Sequence, residues 1–228
     1  MPSLVVFFDI VGTLVDSPDI FEIITRKLVG RWPDKQTYDL VLKTYERMID
    51  AIRNKEAQHP FKSVRDIHAA ALTLLARQYG YADISGQARD ISVDAYGRQS
   101  NLFPETKPVL DTLLKNSVRM IIASDNDLDI LEIQMLKHDL NTYFVDHCIS
   151  ETAKAYKPTH RFLSNLKKYI CDDPNDCYFV GDSWVDVESG RRLGVKSVLI
   201  DRGSAGSNTK ADYVIRDLNG LIPLLGLE

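Results

Sequence analysis

The chain has 228 residues, of which 44% are hydrophobic and 26% are charged, and its formal net charge is −4. This composition is typical of a globular protein with a substantial buried core. The acidic balance argues against nucleic-acid binding, which usually needs a basic face, so we expect no nucleic-acid partner. The N-terminus has neither a basic leader nor a long apolar stretch, so we expect no membrane partner and a cytoplasmic location.

Continuous apolar runs occupy residues 4–8, 119–123, 177–180 and 196–200, and a shorter run covers residues 213–215. Runs without polar alternation are typical of strands that are buried on both faces of a parallel sheet. Helical patterns separate them, for example over residues 128–140 and 160–169. This alternation predicts an α/β fold whose core is a doubly wound, Rossmann-like parallel sheet.

Residues 16–101 have a different character, because helical periodicity dominates there. One apolar stripe extends from Tyr38 to Ile52, and a second helix is expected to begin after Ser63 and to end before Gly80. We therefore predict a helical domain over residues 16–101. It is inserted into an α/β core domain that consists of residues 1–15 and 102–228.

Polar side chains follow the predicted strands at the points where these end, which is where open α/β sheets bind ligands. They are Asp9, Thr13, Ser124, Asp125, Asn126, Asp182 and Asp186; Gly12 lies in the first of these loops, and Lys157 precedes a predicted helix. A carboxylate can form a covalent acyl-phosphate, and hydroxyl, ammonium and backbone N–H groups can bind phosphate oxygens. Carboxylate oxygens also suit Mg²⁺. Each residue alone has an ordinary structural explanation, such as a cap or turn, but their joint order favours phosphoryl transfer.

These residues resemble the four motifs of the haloacid dehalogenase-like superfamily. The segment Asp-Ile-Val-Gly-Thr-Leu-Val-Asp resembles the first motif and has Asp9 at the nucleophile position, and Ser124 matches the second motif. Lys157 matches the third motif, and the acidic fourth motif is similar to residues 181–186. The resemblance covers the whole chain and identifies the helical insertion as a cap that selects the substrate.

The resemblance implies a phosphatase that acts on a small phosphorylated metabolite, as a monomer or homodimer. The implied catalytic residues are Asp9, Thr13, Ser124 and Lys157. The implied substrate-binding residues are Gly12, Thr13, Ser124, Asp125, Asn126 and Lys157. The implied Mg²⁺ ligands are Asp9, Asp182, Asp186 and the backbone carbonyl of Val11.

Val11 departs from the pattern of the family's phosphatases, which have an aspartate there as the general acid and base. Losing such a group typically slows a reaction by about 10²- to 10⁴-fold. Three interpretations stay open. The first is a slow phosphatase, in which Asp125 or Asp16 partly replaces the missing acid. The second is another hydrolase, either a dehalogenase or a phosphonatase that uses Lys43 or Lys55. The third is a catalytically silent protein that binds a phosphorylated ligand.

Within the cap, Arg47, Arg53 and Arg98 are candidates for binding the non-reacting end of a substrate. Their spacing favours none of the three. Trp184 lies inside the fourth motif and is a candidate for lining either the pocket or the interface with the cap.

Overall fold

A computed structural model describes residues 4–29, 34–54, 59–203 and 210–227. Its strands are β1 (Val5–Phe8), β2 (Val15–Asp16), β3 (Asn101–Leu102), β4 (Arg119–Ser124), β5 (Phe144–Ile149), β6 (Cys177–Gly181), β7 (Lys196–Ile200) and β8 (Tyr213–Ile215). Six of them form one parallel sheet in the order β5-β4-β1-β6-β7-β8. This arrangement confirms the predicted doubly wound sheet.

The central strand β1 shows why these segments are continuously apolar. Val6 and Phe8 are buried in a core cluster on one face of the sheet, and Val5 and Phe7 are buried in a second cluster on the other face. Every side chain of the strand is therefore removed from water, and none of its positions tolerates a polar residue.

The helices are α1 (Ile20–Val29), α2 (Lys35–Asn54), α3 (Val64–Tyr79), α4 (Ala88–Ser92), α5 (Thr106–Lys115), α6 (Leu128–Lys137), α7 (Ser150–Ala153), α8 (His160–Ser164), α9 (Trp184–Leu193) and α10 (Leu221–Leu224). Helices α1 to α4 lie between β2 and β3 in the chain and have an apolar cluster of their own. None of the helices in the described ranges is long and apolar enough to cross a membrane.

The short antiparallel pair of β2 and β3 joins the chain at both ends of the helical insertion, with Val15 opposite Leu102 and Asp16 opposite Asn101. Sequence analysis did not predict this pair, because two residues are too few for a periodic pattern. It lies where the predicted boundary between core and cap falls. The division into domains of residues 1–15 with 102–228 and 16–101 stays a prediction.

Helix α3 begins and ends where its capping residues predict. Ser63 accepts a hydrogen bond from the backbone of Asp66, whose side chain accepts one from the Ser63 backbone in return. Gly80 ends the helix in the left-handed conformation at φ 70°.

Two other helices are shorter than predicted. Helix α6 ends at Lys137, and α8 ends at Ser164, where the Asn165 amide donates to the carbonyl of Arg161 and competes with helical bonding.

A buried carboxylate of the core domain holds the start of α3. Asp127 accepts hydrogen bonds from the backbone N–H groups of Val64 and Arg65 at 2.9 and 3.0 Å. These are helix N-terminal donors that have no partner within the helix. The Arg65 side chain also pairs with Asp129 at 2.6 Å and with Glu151 at 2.7 Å. The insertion is thus attached to the core domain by ionic contacts at the beginning of α3.

His68 is buried in the interior of the cap. Its ring stacks on Tyr45 with centroids 4.7 Å apart, and its Nδ1 lies 3.0 Å from the Ser92 hydroxyl. The Ser92 hydroxyl donates to the carbonyl of Ala88, so Nδ1 is assigned as the donor to Ser92. Nε2 has no partner among the described residues. Burial therefore lowers the pKa of His68 from 6.5 to about 3.

This burial predicts that the cap loses stability in mild acid. Below about pH 6.5 the unfolded chain binds a proton at His68 and the folded chain does not, so the free energy of unfolding falls as the pH decreases from 6.5 towards 3. Near pH 5 the loss from this residue is about 2 kcal/mol. We expect His68→Gln to have a smaller decrease of Tm between pH 7.5 and pH 5 than the wild type.

The exposed His59 provides the matched control, because His59→Gln should leave the pH dependence of Tm unchanged. Thermal denaturation followed by circular dichroism measures all three proteins. Equal slopes for wild type and His68→Gln would contradict the burial argument.

Candidate active site

Three strand ends that are neighbours in the sheet bring the predicted residues together. Asp9 follows β1, Ser124 ends β4, and Asp182 follows β6. Because β1 pairs with both β4 and β6, all three positions meet at one edge of the sheet. Asp9 is tied to β6 by a hydrogen bond from its backbone N–H to the carbonyl of Val180 at 2.9 Å. The parallel topology, rather than sequence proximity, creates this group.

Lys157 is buried at the centre of this group. Its ammonium Nζ lies 2.8 Å from Oδ1 of Asp9 and 2.5 Å from Oδ1 of Asp186. Burial disfavours the charged ammonium, but the carboxylates of Asp186 and Asp9 outweigh that penalty and raise the pKa of Lys157. The side chain is therefore a permanent cation that neutralises part of the acidic charge.

Asp9, Asp182 and Asp186 form a compact carboxylate group. Each offers an oxygen within 4.8 Å of the oxygens of the other two. Partial desolvation, together with repulsion from the other two carboxylates, raises the pKa of Asp182 to about 7. Burial and repulsion from Asp9 raise the pKa of Asp186 to about 6, although Lys157 opposes this. A divalent cation would relieve the repulsion, and hard carboxylate oxygens are the ligands that Mg²⁺ prefers. These residues therefore fit such an ion.

Two glycines permit the close approach of these carboxylates. Gly12 has a φ of +81°, and a Cβ atom at this position would overlap the carboxylate of Asp182. A Cβ atom at Gly181 would overlap the carboxylate of Asp186. Both positions therefore exclude any larger residue unless the acidic group moves.

Hydroxyl groups surround the carboxylates. Thr13 is fully buried, and its Oγ1 has no hydrogen-bond partner among the described residues. A buried hydroxyl without a partner is costly, so an acceptor such as a phosphate oxygen would satisfy it. Ser124 is also buried, at 3% exposure. Ser183 orients Asp186 by donating both its backbone N–H, at 3.1 Å, and its hydroxyl, at 2.5 Å, to Oδ2.

Asn126 is not brought into this group. Its amide Nδ2 donates to Gln134 at 3.0 Å, and its Oδ1 accepts from the backbone of Asp127 at 2.9 Å. The side chain is therefore committed to positioning the loop after β4. Its predicted contact with substrate has no support from this geometry.

Asp125 connects the site to the cap. Its Oδ1 accepts a hydrogen bond from the backbone N–H of Lys157 at 2.9 Å, and its Oδ2 accepts one from the Arg53 guanidinium at 2.9 Å. Burial raises its pKa, against the effect of Lys157 and Arg53. Both oxygens act as acceptors, so a proton on Asp125 would disrupt one of these bonds. This makes Asp125 a poor substitute for the missing acid. Asp16, the other candidate, is exposed in β2.

Arg53 is the cap arginine that the fold brings to the site. Its guanidinium lies 5.9 Å from the ring centroid of Tyr156 and 5.8 Å from that of Trp184, and it pairs with Asp125. Arg47 instead lines a cavity between α2 and α3. Arg98 lies by a different pocket, which is lined by α1 and α4 residues. Trp184 is half-exposed and faces the cap through Arg53.

Arg202, which no sequence pattern identifies, supports the loop after β1. Its guanidinium donates to the carbonyls of Gly12 and Thr13 at 3.2 and 3.1 Å and pairs with Glu105 at 2.7 Å. The residue is about 190 positions from the loop in sequence. No spacing signal connects the two, so only the folded chain identifies this contact.

Of the two cap lysines that are candidates in the phosphonatase interpretation, Lys43 gains no support from its position. Lys43 is exposed on α2 and lines a surface pocket with Asp34, Lys35 and Tyr81. Lys55 lies outside the described residues.

Comparison with known proteins gives consistent matches. A family model described as a haloacid dehalogenase-like hydrolase matches residues 4–194. The (S)-2-haloacid dehalogenase 4A of Burkholderia cepacia is 22% identical, over 96% of this chain and 93% of the relative. A plasmid phosphoglycolate phosphatase of Cupriavidus necator is 23% identical, over 99% of this chain and 94% of the relative.

Solved structures share the fold. The magnesium-bound HAD-hydrolase YfnB of Bacillus subtilis has a TM-score of 0.77 at 15% identity, over 99% of this chain and 100% of that one. The L-2-haloacid dehalogenase of Xanthobacter autotrophicus with covalently bound chloropropionic acid has a TM-score of 0.73 at 17% identity, over 98% of both chains.

The buried ion pairs of Lys157 predict that removal of its charge lowers the Tm and that Mg²⁺ compensates part of this loss. Lys157→Met leaves the carboxylates of Asp9 and Asp186 without a counter-charge. Removing one partner of a buried pair costs about 3–5 kcal/mol. For a chain of this size, this lowers Tm by roughly 6–20 °C in the absence of divalent ions. We expect Mg²⁺ to raise the Tm of Lys157→Met more than that of the wild type.

Differential scanning calorimetry with EDTA or with Mg²⁺ measures this difference. Lys115→Met, on the exposed side of α5, is the matched control and should behave as the wild type. An equal effect of Mg²⁺ on all three proteins would show that the metal ion does not compensate the acidic group.

Proposed function

Because the chain belongs to the haloacid dehalogenase-like hydrolase family, we propose that it is a magnesium-dependent phosphatase. In this proposal it hydrolyses a small phosphorylated metabolite through an aspartyl-phosphate intermediate at Asp9. The observation that carries the proposal is the group of Asp9, Asp182 and Asp186 around the Lys157 ammonium. Three carboxylates in close contact favour a reaction that uses a divalent cation and an anionic substrate.

Asp9 is the proposed nucleophile. Lys157 holds its Oδ1, so the other carboxylate oxygen is left to attack phosphorus. The new bond joins Asp9 to phosphorus, and the bond from phosphorus to the alcohol oxygen breaks. Water then hydrolyses the acyl-phosphate and restores the carboxylate. Splitting the reaction into two displacements lets one buried carboxylate serve both as attacking and as leaving group.

The proposed phosphate contacts are the hydroxyls of Thr13 and Ser124, the ammonium of Lys157 and the backbone of the loop at Gly12. Thr13 is the best supported, since its hydroxyl is buried without a partner. Asp9, Asp182, Asp186 and the Val11 carbonyl are the proposed Mg²⁺ ligands. When bound, Mg²⁺ would supply charge neutralisation that lets a carboxylate approach a phosphate dianion.

The valine at position 11 limits this chemistry. An alkoxide leaving group needs a proton, and a valine side chain cannot donate one. We therefore expect hydrolysis to be slow for alkyl phosphates and faster for aryl or acyl phosphates, whose leaving groups are weak bases.

A dehalogenase-like hydrolase is the second candidate. Relatives named as haloacid dehalogenases match over nearly the whole chain, and a non-acidic residue at position 11 is compatible with alkylation of Asp9. The acidic group formed with Asp182 and Asp186 favours the phosphatase, because displacement of a halide by a carboxylate gains nothing from two further negative charges. Binding of a phosphorylated ligand without turnover is the third candidate.

Asp9→Asn tests the nucleophile. We expect magnesium-dependent hydrolysis of p-nitrophenyl phosphate and acetyl phosphate by the wild type, and a decrease of at least about 10³-fold in the variant, since an amide cannot form the acyl-phosphate. EDTA should abolish the wild-type activity. Asp16→Asn, an exposed carboxylate near the same loop, should keep it.

Retained activity in Asp9→Asn would reject the proposed nucleophile. If no phosphate ester is hydrolysed, release of halide from 2-chloropropionate by the wild type would select the dehalogenase. Absence of both activities would favour a binding protein.

Val11→Asp tests the missing acid. We expect kcat to rise by about 10²-fold or more for an alkyl phosphate and by much less for p-nitrophenyl phosphate, because only the alkoxide needs a proton. Val11→Asn introduces a side chain that has the shape of aspartate but no acidic proton, so it should not raise kcat for either substrate. An equal increase for both substrates would show that the aspartate acts through something other than leaving-group protonation.

A further inference from the structure

A cavity of about 290 Å³ lies within the cap, between α2 and α3. Apolar side chains form much of its wall, namely Met48, Ala51 and Ile52 from α2, and Ile67 and Leu74 from α3. Its size is near the lower end of the range for small-molecule sites. The space is large enough for an aliphatic chain.

Three basic side chains border the same cavity: Arg47, His59 and Lys62. All three are exposed, and none makes an ion pair within the described parts of the chain. The described residues of the wall include no Asp or Glu. Asp125 neutralises the arginine at the active site, whereas Arg47 and Lys62 leave their positive charge available to a ligand.

We propose that this cavity binds an aliphatic carboxylate. The apolar chain lies between α2 and α3, and the carboxylate faces Arg47 and Lys62. A guanidinium binds a carboxylate with two parallel hydrogen bonds, and an ammonium adds a further charge-assisted one. An apolar wall bordered by cations favours a ligand that has both an apolar chain and an anionic group.

The cavity is separate from the carboxylate group of the active site, since all of its described lining residues belong to the cap. It nevertheless adjoins the support of Lys157. Ile52 and Ile67 pack in one cluster with Tyr156, the residue before Lys157. The Tyr156 hydroxyl also donates to the backbone carbonyl of Lys62 at 2.8 Å. A ligand in the cavity therefore contacts residues that hold the segment carrying the active-site lysine.

Isothermal titration calorimetry of the full chain with butanoate, hexanoate and octanoate tests the proposal. We expect Kd to fall by about fourfold for each added methylene until the chain fills the cavity. Acetate lacks the apolar part and octanol lacks the charge, so both should bind much more weakly than octanoate. Saturating inorganic phosphate with Mg²⁺ should not displace octanoate.

Variants locate the site. We expect Arg47→Gln and Lys62→Gln each to weaken octanoate binding by about three- to tenfold. Arg77→Gln removes the same charge from α3 outside the cavity and should have no effect. Ala51→Phe should fill the cavity and abolish binding, with circular dichroism showing that the cap stays folded.

Several results would overturn the proposal. They are an absence of saturable binding, an affinity independent of chain length, and octanoate binding that survives in Ala51→Phe. Tighter binding of octyl phosphate than of octanoate to Asp9→Asn would overturn the choice of a carboxylate. All these readouts measure binding, so they are independent of whether the chain hydrolyses phosphate esters.

Discussion

The contact of the Lys157 ammonium with Asp9 and Asp186 is the interaction on which the site depends. Three parallel strands end at the same edge of the sheet, and their loops place acidic groups within a few ångströms of each other. Desolvation, together with repulsion between carboxylates at such distances, raises the pKa values of Asp182 and Asp186. The lysine compensates part of the negative charge, and a divalent cation would compensate more.

The helical insertion is attached to this site through charges of the core domain. Asp127 holds the first N–H groups of α3, and Asp125 holds both the Lys157 backbone and Arg53 of α2. Two residues of one loop, separated only by Asn126, thus bind α2 and α3. A change in the position of α2 would alter the partner of Asp125 and, through it, the segment at Lys157. This arrangement gives a physical path between the cap and the chemistry.

An aspartate at position 11 could provide both a metal ligand and an acid–base group. Val11 can provide only the metal ligand. The backbone carbonyl can serve as a metal ligand with any side chain, whereas acid and base catalysis need an ionisable group. In the proposed reaction, Lys157 and a cation held by the carboxylates would still bind a phosphate, and Asp9 would still form the covalent intermediate. With valine at position 11, no side chain there can protonate the leaving group. Of the two candidate replacements, Asp125 is already used by two donors, and Asp16 is exposed in β2.

The sequence alone determined most strands of the sheet and the residue types at their ends. Continuous apolar runs predicted the strands that are buried on both faces, and Ser63 and Gly80 predicted the limits of α3, because burial and capping are local requirements. The edge strand β5 was not predicted, since Asp146 and His147 interrupt its apolar residues. Tertiary structure alone decided that Arg53 faces the site while Arg47 does not, and that Arg202 supports the loop at Gly12. These contacts join residues far apart in the chain, and they depend on how helices pack against the sheet, which no local pattern encodes.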